Sequence, residues 1–191
     1  LNHPAMLADA SDLKRLSPDH QFEVVGGRLN QEDLNGADFE TFWARVSSRS
    51  TSGAQLRLLL SEPQLGPAGG LLELLMSEKR ASTSMSSLQT LAALESIWLS
   101  QEEQRQRLLS QLERCGWVTN QSSWQESLKL SVEPSLIERW LGEDRPYRKA
   151  LEKTGEASET ELSELRRELL QQRGNHLPQS LRHWRIEGRL A

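Results

Sequence analysis

The sequence has little of what large sheets and membrane spans require. Among its 191 residues, valine and isoleucine together occur 8 times, whereas leucine occurs 34 times. Because β-branched residues favour strands and leucine favours helices, we expect helices to dominate, and an all-β fold is excluded. The longest apolar runs fall far short of the roughly 20 residues that cross a bilayer, and no signal or transit pattern is visible. We therefore expect no membrane partner.

Cysteine and metal-ligand patterns are almost absent. The single cysteine, Cys115, cannot form an internal disulfide or a zinc–thiolate cluster, which favours a reducing, cytoplasmic environment. It follows a predicted helix, so a buried packing role is favoured over a reactive thiol. The four histidines have no metal-ligand spacing and are predicted to lie on the surface. The nucleophile motif G-x-S-x-G and the phosphate-binding P-loop are missing as well.

Charge is distributed unevenly along the chain. The formal net charge is −4, which argues against a strongly basic nucleic-acid-binding domain. Residues 166–191 nevertheless carry six arginines against two glutamates. Within this segment, Arg182, Arg185 and Arg189 are the candidate nucleic-acid contacts of one possible function, a non-catalytic module that binds a protein or DNA.

The first third of the chain predicts alternating strands and helices. Apolar runs at residues 4–8, 21–25 and 54–60 indicate strands, and apolar side chains at helical spacing indicate a helix over residues 39–46. Asp38 is the expected N-cap of that helix. This alternation is typical of a parallel α/β sheet.

Residues 61–116 predict chain breaks followed by helices. Prolines and glycines after residue 62 interrupt regular structure, and residues 82–87 have the composition of an exposed linker. Ser100, followed three residues later by Glu103, forms a capping-box pattern, which indicates two consecutive helices rather than one. Gly116 provides the stop of the second helix.

The remaining residues predict short strands and three helices. Strands are indicated on both sides of a polar turn within residues 117–132. Three helix starts follow, at Pro134, at Pro146 and at the capping box that Ser158 opens. Alternation of apolar and charged residues over 184–190 indicates a final half-exposed strand. Tryptophans at core-facing helical positions are expected to be packing residues rather than a base-stacking surface.

Gly26-Gly27-Arg28 is the local feature of the sequence that most specifically indicates a ligand site, because it directly follows the strand predicted at residues 21–25. Ligands of open α/β sheets bind beyond the carboxyl ends of strands, and glycines there let the backbone approach a ligand closely. The commoner explanation is a tight turn with positive φ that ends the strand. Asp9, at the end of the preceding predicted strand, would lie on the same edge, where its carboxylate either contacts an adenine or ribose or caps a turn.

Three stretches of the sequence resemble a known family. The matching segments are Gln21 to Arg28, the segment from Ser135-Leu136-Ile137-Glu138-Arg139-Trp140-Leu141 to Arg145-Pro146-Tyr147, and Leu165-Arg166-Arg167-Glu168-Leu169-Leu170-Gln171-Gln172. They are similar to the C-terminal, class I methyltransferase-like domain that some photosynthetic bacteria fuse behind the AAA-type ATPase replication-associated recombination protein A.

The resemblance implies an α/β fold with a partial Rossmann-like sheet and a largely helical insertion. Residues 1–133 would be the C-terminal half of the methyltransferase-like domain, 134–175 the helical insertion, and 176–191 a final strand that returns to the sheet. The first strands of such a fold would precede Leu1, which we expect to be a cut rather than a natural start. The expected partner is an upstream ATPase domain of the same polypeptide, and DNA is a second expected partner.

The resemblance also implies a cofactor, S-adenosylmethionine. In class I methyltransferases an acidic residue after the third strand faces its adenine, and Asp9 and Ala10 are the matching positions. Together with Gly26, Gly27 and Arg28 at the next strand end, they form the candidate cofactor-binding set. Enzymes that methylate amino groups carry an N/D-P-P-Y motif at that strand end, and no such motif stands here. We therefore expect the chain not to be catalytic alone.

Overall fold

The computed structural model describes residues 17, 19–29, 31–80, 85–153 and 157–191, which fold into four strands and eight helices. In chain order these elements are β1 (Phe22–Leu29), α1 (Gln31–Asn35), α2 (Phe39–Ser48), β2 (Ser50–Pro63), α3 (Pro67–Ser77), α4 (Met85–Leu99), α5 (Glu102–Arg114), β3 (Trp117–Ser131), α6 (Pro134–Leu141), α7 (Pro146–Lys153), α8 (Glu159–Gln171) and β4 (His176–Leu190). The strand predicted at residues 4–8 lies outside the described residues.

The four strands form one sheet in the order β1-β2-β4-β3. β1 and β2 are parallel, with Val25 opposite Leu56 and Leu29 opposite Leu60. Because α1 and α2 connect these two parallel strands, the segment is a βαβ unit, the building block of Rossmann-like sheets. The predicted α/β fold class is confirmed. Within the described ranges, no helix has the length and apolar character needed to cross a bilayer.

The chain divides into two compact units. Among the described residues, unit 1 comprises those up to residue 61 and those within 101–124 and 183–191, and unit 2 comprises those within 62–100 and 125–182. Each unit has its own cluster of buried apolar side chains. The division of the chain at residues 133 and 175 stays a prediction.

The core of unit 1 forms around the buried face of β2. Alternate β2 residues are buried because successive side chains of a strand point to opposite faces. They meet aromatic side chains of α2 and leucines of α5. The buried members of this cluster are Phe22, Leu34, Phe39, Trp43, Val46, Ala54, Leu56, Leu58, Leu60, Leu108, Leu112, Trp117 and Ile186. The indole N–H of Trp117 donates to Ser47 Oγ at 2.7 Å, which satisfies a polar group inside this core.

The core of unit 2 is built mainly from leucines of α3, α4 and α8. The predicted chain break is present between Pro63, where β2 ends, and Gly66, the N-cap of α3, but Gly69 and Gly70 lie inside α3, so the prediction was wrong for those two glycines. Pro67 occupies the first turn of the helix, where its missing N–H costs nothing. Gly70 permits close packing, because a Cβ on it would lie 2.8 Å from the carbonyl oxygen of Pro178.

The glycines of β1 do not end the strand. β1 continues through Gly26 and Gly27 to Leu29, so the predicted turn is wrong. The glycines with positive φ among the described residues are instead Gly53, Gly116 and Gly174. Backbone pairing with β2 extends the strand past the glycine pair.

A single strand, β3, replaces the two short strands and polar turn predicted over residues 117–132. It runs without interruption from Trp117 to Ser131. β3 is at one edge of the sheet, where polar side chains are common because they discourage pairing with other chains. The polar composition that suggested a turn therefore belongs to an edge strand.

Helix ends agree with the sequence in most places. The capping box of Ser158 and Glu161 is present, with Glu161 N–H donating to Ser158 Oγ at 3.3 Å. Gly116 follows the C-cap of α5 with φ of 88°, as predicted. The capping box predicted at Ser100 is wrong, because Gln101 is the N-cap of α5 and makes no side-chain capping bond. Asp38 is the N-cap of α2, as predicted, but likewise makes no side-chain capping bond.

Candidate functional site

One polar or aromatic side chain from each strand of the sheet contributes to a continuous row in unit 1. In sheet order these residues are Arg28 on β1, Ser61 on β2, His183 on β4 and Trp124 on β3. We call this set the four-strand row. Ser61 follows the buried Leu60 on β2, so it points away from the core of unit 1. The row therefore lies on the face of the sheet opposite that core.

Hydrogen bonds join the first three members of the row. Arg28 Nη2 donates to Ser61 Oγ at 3.2 Å, and Ser61 Oγ lies 2.9 Å from His183 Nδ1. A serine hydroxyl that accepts from the guanidinium can still either donate to Nδ1 or accept from it, so the direction of the Ser61–His183 hydrogen bond follows the tautomer of His183.

The fourth member, Trp124, stacks on His183. The ring centroids are 5.0 Å apart with an interplanar angle of 25°. His183 is only 7% exposed, whereas Trp124 is 47% exposed. The prediction that His183 is a surface histidine is therefore wrong, because the indole of an edge-strand tryptophan covers its ring. His176, in contrast, is exposed as predicted.

The predicted cofactor residues fall into two groups. Asp9 and Ala10 lie outside the described residues. Gly26, Gly27 and Arg28 are exposed near the carboxyl end of β1. A Cβ on Gly27 would meet nothing within 4 Å, so neither crowding nor a positive φ explains this glycine. Glycine inside a strand often marks a place where a ligand or another backbone approaches closely.

The three arginines of the interaction-module alternative are not equivalent. Arg185 and Arg189 are exposed and, four residues apart on β4, share one face. Arg182 is half-buried, and strand alternation places it on the other face. Arg185 Nε also lies 3.8 Å from Glu187 Oε2, so its charge is partly balanced. The structure thus places two of the three on one face of β4.

Unit 2 contains a buried carboxylate at the start of α3. Glu95 on α4 is 1% exposed and accepts hydrogen bonds from the N–H groups of Ala68 and Gly69, at 3.0 and 2.7 Å. Tyr147 Oη donates to it at 2.7 Å. Burial raises the pKa of the Glu95 carboxyl, although these hydrogen bonds act in the opposite direction. Glu95 thereby caps the N-terminus of α3, which lacks a side-chain cap of its own.

The remaining candidates have structural roles. Cys115 is half-buried and packs against the core of unit 1, in agreement with the predicted packing role. Trp43 is buried, and Trp98 and Trp140 pack against the core of unit 2, as predicted. Within the described ranges, no group of three or more histidine, cysteine or acidic side chains could hold a metal ion.

Sequence reasoning missed three members of the four-strand row. Ser61 lies 63 positions before Trp124 along the chain and 122 positions before His183. Trp124 and His183 are 59 positions apart. No local motif connects them. Only the strand order β1-β2-β4-β3, combined with the alternation of faces, places them together. The local signal that did exist was Gly26-Gly27-Arg28, which identified one end of the row.

Comparisons with known proteins give structural likenesses only. No protein-family profile and no curated protein sequence matches the chain. Among solved structures, one assigned as a methyltransferase from Bacillus halodurans aligns with 90% of the chain at 11% identity and a TM-score of 0.39. One assigned as a sarcosine dimethylglycine methyltransferase from Galdieria sulphuraria aligns with 91% at 12% identity and a TM-score of 0.28.

A third similar structure contains ligands. It is phosphoethanolamine N-methyltransferase 2 of Haemonchus contortus in complex with phosphomonomethylethanolamine and S-adenosylhomocysteine, which aligns with 90% of the chain at 13% identity and a TM-score of 0.29. The chain spans 65%, 56% and 34% of the lengths of these three proteins, respectively. With TM-scores this low, the fold assignment rests on the βαβ unit of the chain itself.

Proposed function

We propose that the chain is the C-terminal half of a methyltransferase-like domain, fused to a replication- or recombination-associated AAA-type ATPase, and that it contributes to a site for S-adenosylmethionine. One observation carries the cofactor part of this proposal, whereas the fusion to an ATPase rests on the sequence resemblance alone. Gly26, Gly27 and Arg28 are exposed near the carboxyl end of β1, in a parallel pair with β2. This edge is where open α/β sheets bind their ligands.

The residues present fit one side of a nucleoside cofactor. Gly27 offers bare backbone, since nothing lies within 4 Å of the position of a Cβ. Arg28 supplies a cation that suits the carboxylate of the cofactor. Asp9 and Ala10, which lie outside the described residues, are the proposed contacts of the adenine amino group or the ribose. When bound, S-adenosylmethionine supplies an electrophilic methyl group.

The chain alone is proposed not to catalyse methyl transfer. The strand end that carries N/D-P-P-Y in enzymes that methylate amino groups reads Gly26-Gly27-Arg28-Leu29-Asn30 here. This segment has no aromatic ring to stack against an acceptor and no amide or carboxylate before Asn30 to orient one. A binding or regulatory role for the domain follows from this difference.

Calorimetric titration of S-adenosylmethionine into the full-length polypeptide tests the proposal. We expect measurable heat at or below about 1 mM ligand, which corresponds to about −4 kcal/mol. Asp9→Asn and Arg28→Gln should both weaken binding, whereas Arg45→Gln, a change of the same charge on α2, should not. An absence of heat at millimolar ligand would overturn the cofactor part of the proposal.

The alternative, a DNA-interaction module, is favoured by the exposed pair Arg185 and Arg189. Phosphate contacts through arginine predict DNA binding that weakens steeply as salt increases. A gel shift with single- and double-stranded DNA, repeated with both arginines changed to alanine, tests this function. An unchanged shift in the double variant would exclude it for this strand.

A further inference from the structure

We propose that the four-strand row is a binding site for a nucleoside monophosphate, with the base stacked on Trp124 and the phosphate paired with Arg28. The four residues come from four different strands and yet make an unbroken series of contacts, from a guanidinium at one end to an indole at the other. A nucleotide has a matching arrangement. Its anionic phosphate at one end pairs with a guanidinium, and its flat base at the other end stacks on an indole.

Trp124 is the stacking end of the row. All six tryptophans lie in the described ranges, and Trp124 is the exposed one among them. His183 covers one face of its indole at a centroid distance of 5.0 Å. The imidazole fixes the orientation of the indole, so the opposite face is a pre-positioned platform for a nucleobase. Stacking of a base on an aromatic side chain contributes about 1–3 kcal/mol and tolerates any base.

Arg28 is the end of the row that binds the phosphate of the ligand. In the part of the chain that the structure describes, its guanidinium has one hydrogen-bond partner, Ser61, and no carboxylate partner. Arginine presents five N–H donors in a planar fork that matches phosphate oxygens. Ser61 holds one nitrogen of the fork at 3.2 Å, which orients the group and leaves further donors for a phosphate.

The spacing of the two ends suits a small ligand. Arg28 and Trp124 lie on strands separated by three inter-strand steps, so their backbones are about 14 Å apart across the sheet. Both side chains contact the middle of the row, Arg28 through Ser61 and Trp124 through His183. Ser61 and His183, which contact each other, hold the two ends in place. The exposed backbone of Gly26 beside Arg28 adds no side chain that would obstruct the ligand.

A mononucleotide fits the row better than a nucleic-acid strand does. Single-strand-binding surfaces use successive aromatic platforms and a basic groove that follows the backbone. The row has one exposed indole and one arginine without a carboxylate partner among the described residues. The neighbouring Arg185 already lies near Glu187. The arrangement therefore supplies one base position and one phosphate position.

This inference does not depend on the proposed cofactor site, although Arg28 belongs to both. Trp124 and Asp9 distinguish the two. Loss of AMP binding in Trp124→Ala with unchanged S-adenosylmethionine binding would identify the row as a separate site. Loss of S-adenosylmethionine binding in Asp9→Asn with unchanged AMP binding would identify the cofactor site.

Calorimetry on the 191-residue chain, with AMP, adenosine and inorganic phosphate as separate probes, tests the proposal, because an ATPase domain would add nucleotide sites of its own. We expect AMP to bind more tightly than either of the other two. Arg28→Gln should weaken AMP binding about tenfold or more, because a charge-assisted contact is lost, but should leave adenosine binding unchanged. Trp124→Ala should weaken both about tenfold, and Trp124→Phe should restore most of the affinity. Arg45→Gln is the charge-matched control and should bind AMP as the unaltered protein does.

Three outcomes would overturn the proposal. They are no AMP binding to the unaltered protein, AMP binding that survives both Arg28→Gln and Trp124→Ala, and a preference for adenosine over AMP. Binding of an oligonucleotide without binding of AMP would also overturn it, and would favour the interaction through Arg185 and Arg189. Circular dichroism of each variant establishes that the fold is retained.

Discussion

Tyr147 donates a hydrogen bond to the buried carboxylate of Glu95 at 2.7 Å, and both side chains are almost fully inaccessible to water. The same carboxylate receives the N–H groups of Ala68 and Gly69 at the start of α3. A charge so far from water is tolerated only when its oxygens are hydrogen-bonded. The pair therefore fixes α4, α7 and the first turn of α3 to one another within unit 2.

Removing the tyrosine hydroxyl should destabilise the protein. Tyr147→Phe deletes one donor to a buried carboxylate, and hydrogen bonds to charged groups contribute about 1.5–3 kcal/mol. We expect the free energy of unfolding, measured by urea denaturation at pH 7, to fall by about 2 kcal/mol. In a double-mutant cycle with Glu95→Gln, the two changes should be clearly non-additive. Additive effects would contradict a direct interaction.

The burial of Glu95 predicts the sign of one contribution to the pH dependence of stability. Its pKa in the folded state is raised above 4.5, the usual value for glutamate, chiefly by burial. The folded state therefore binds this proton more tightly than the unfolded state does. The contribution of Glu95 to the free energy of unfolding is fully present below the pKa that Glu95 has in the unfolded state. It is lost as the pH rises from there through the higher pKa of Glu95 in the folded state.

Comparison of Glu95→Gln with the unaltered protein measures that contribution. The free energy of unfolding of the unaltered protein should fall relative to that of the variant as the pH rises above 4.5. Asp144→Asn is a control of opposite sign, because a hydrogen bond from Lys149 lowers the pKa of that exposed carboxyl. Equal pH slopes for the unaltered protein and Glu95→Gln would contradict the assignment.

Two glycines make room for the Glu95 carboxylate. A Cβ on Gly66 would lie 2.3 Å from Glu95 Oε1, and one on Gly69 would lie 2.9 Å from Glu95 Oε2. We expect Gly66→Ala and Gly69→Ala each to lower the free energy of unfolding by about 1–3 kcal/mol, the usual range for overpacking. Gly27→Ala is the matched control, because open space surrounds that position. It should be neutral or slightly stabilising, since alanine loses less conformational freedom than glycine.

Local patterns in the sequence were sufficient to predict most elements but not the features that depend on the sheet. The helix over residues 39–46 and the Ser158 capping box were predicted because periodicity and capping act within a few residues. The continuation of β1 through Gly26 was not predicted, because glycine composition favours a turn and only pairing with β2 extends the strand. Tertiary pairing outweighed local propensity there.

The candidate site could be predicted at one end only. Gly26-Gly27-Arg28 was identified from the strand that precedes it, because the rule about carboxyl ends of strands needs no partner. His183 was predicted to lie on the surface, because its burial depends on Trp124 from another strand. Those two residues meet because β4, the last strand in the chain, lies between β2 and β3. Composition and spacing contain no information on that order.

Loss of the hydrogen bond between Trp117 and Ser47 should destabilise the core of unit 1. Ser47 Oγ accepts from the indole N–H at 2.7 Å and donates to the carbonyl oxygen of Trp43 at 2.8 Å. Ser47→Ala leaves the buried indole N–H without this partner, so we expect a loss of about 1–3 kcal/mol in the free energy of unfolding. Ser48→Ala, at the exposed neighbouring position on α2, should change it by less than about 0.5 kcal/mol. Similar effects of the two substitutions would contradict the role of this bond.

Replacing the serine by alanine should have different effects in the two capping-box patterns, because only one of the two forms a cap. Ser158 accepts from Glu161 N–H and its own N–H donates to Glu161 Oε2, so Ser158→Ala removes a cap that is formed. We expect the free energy of unfolding to decrease by about 1 kcal/mol. Ser100 has the same S-x-x-E context but does not cap α5, because Gln101 is its N-cap. Ser100→Ala should therefore change stability by less than about 0.5 kcal/mol. A loss at Ser100 equal to that at Ser158 would mean that α5 begins one residue earlier in solution.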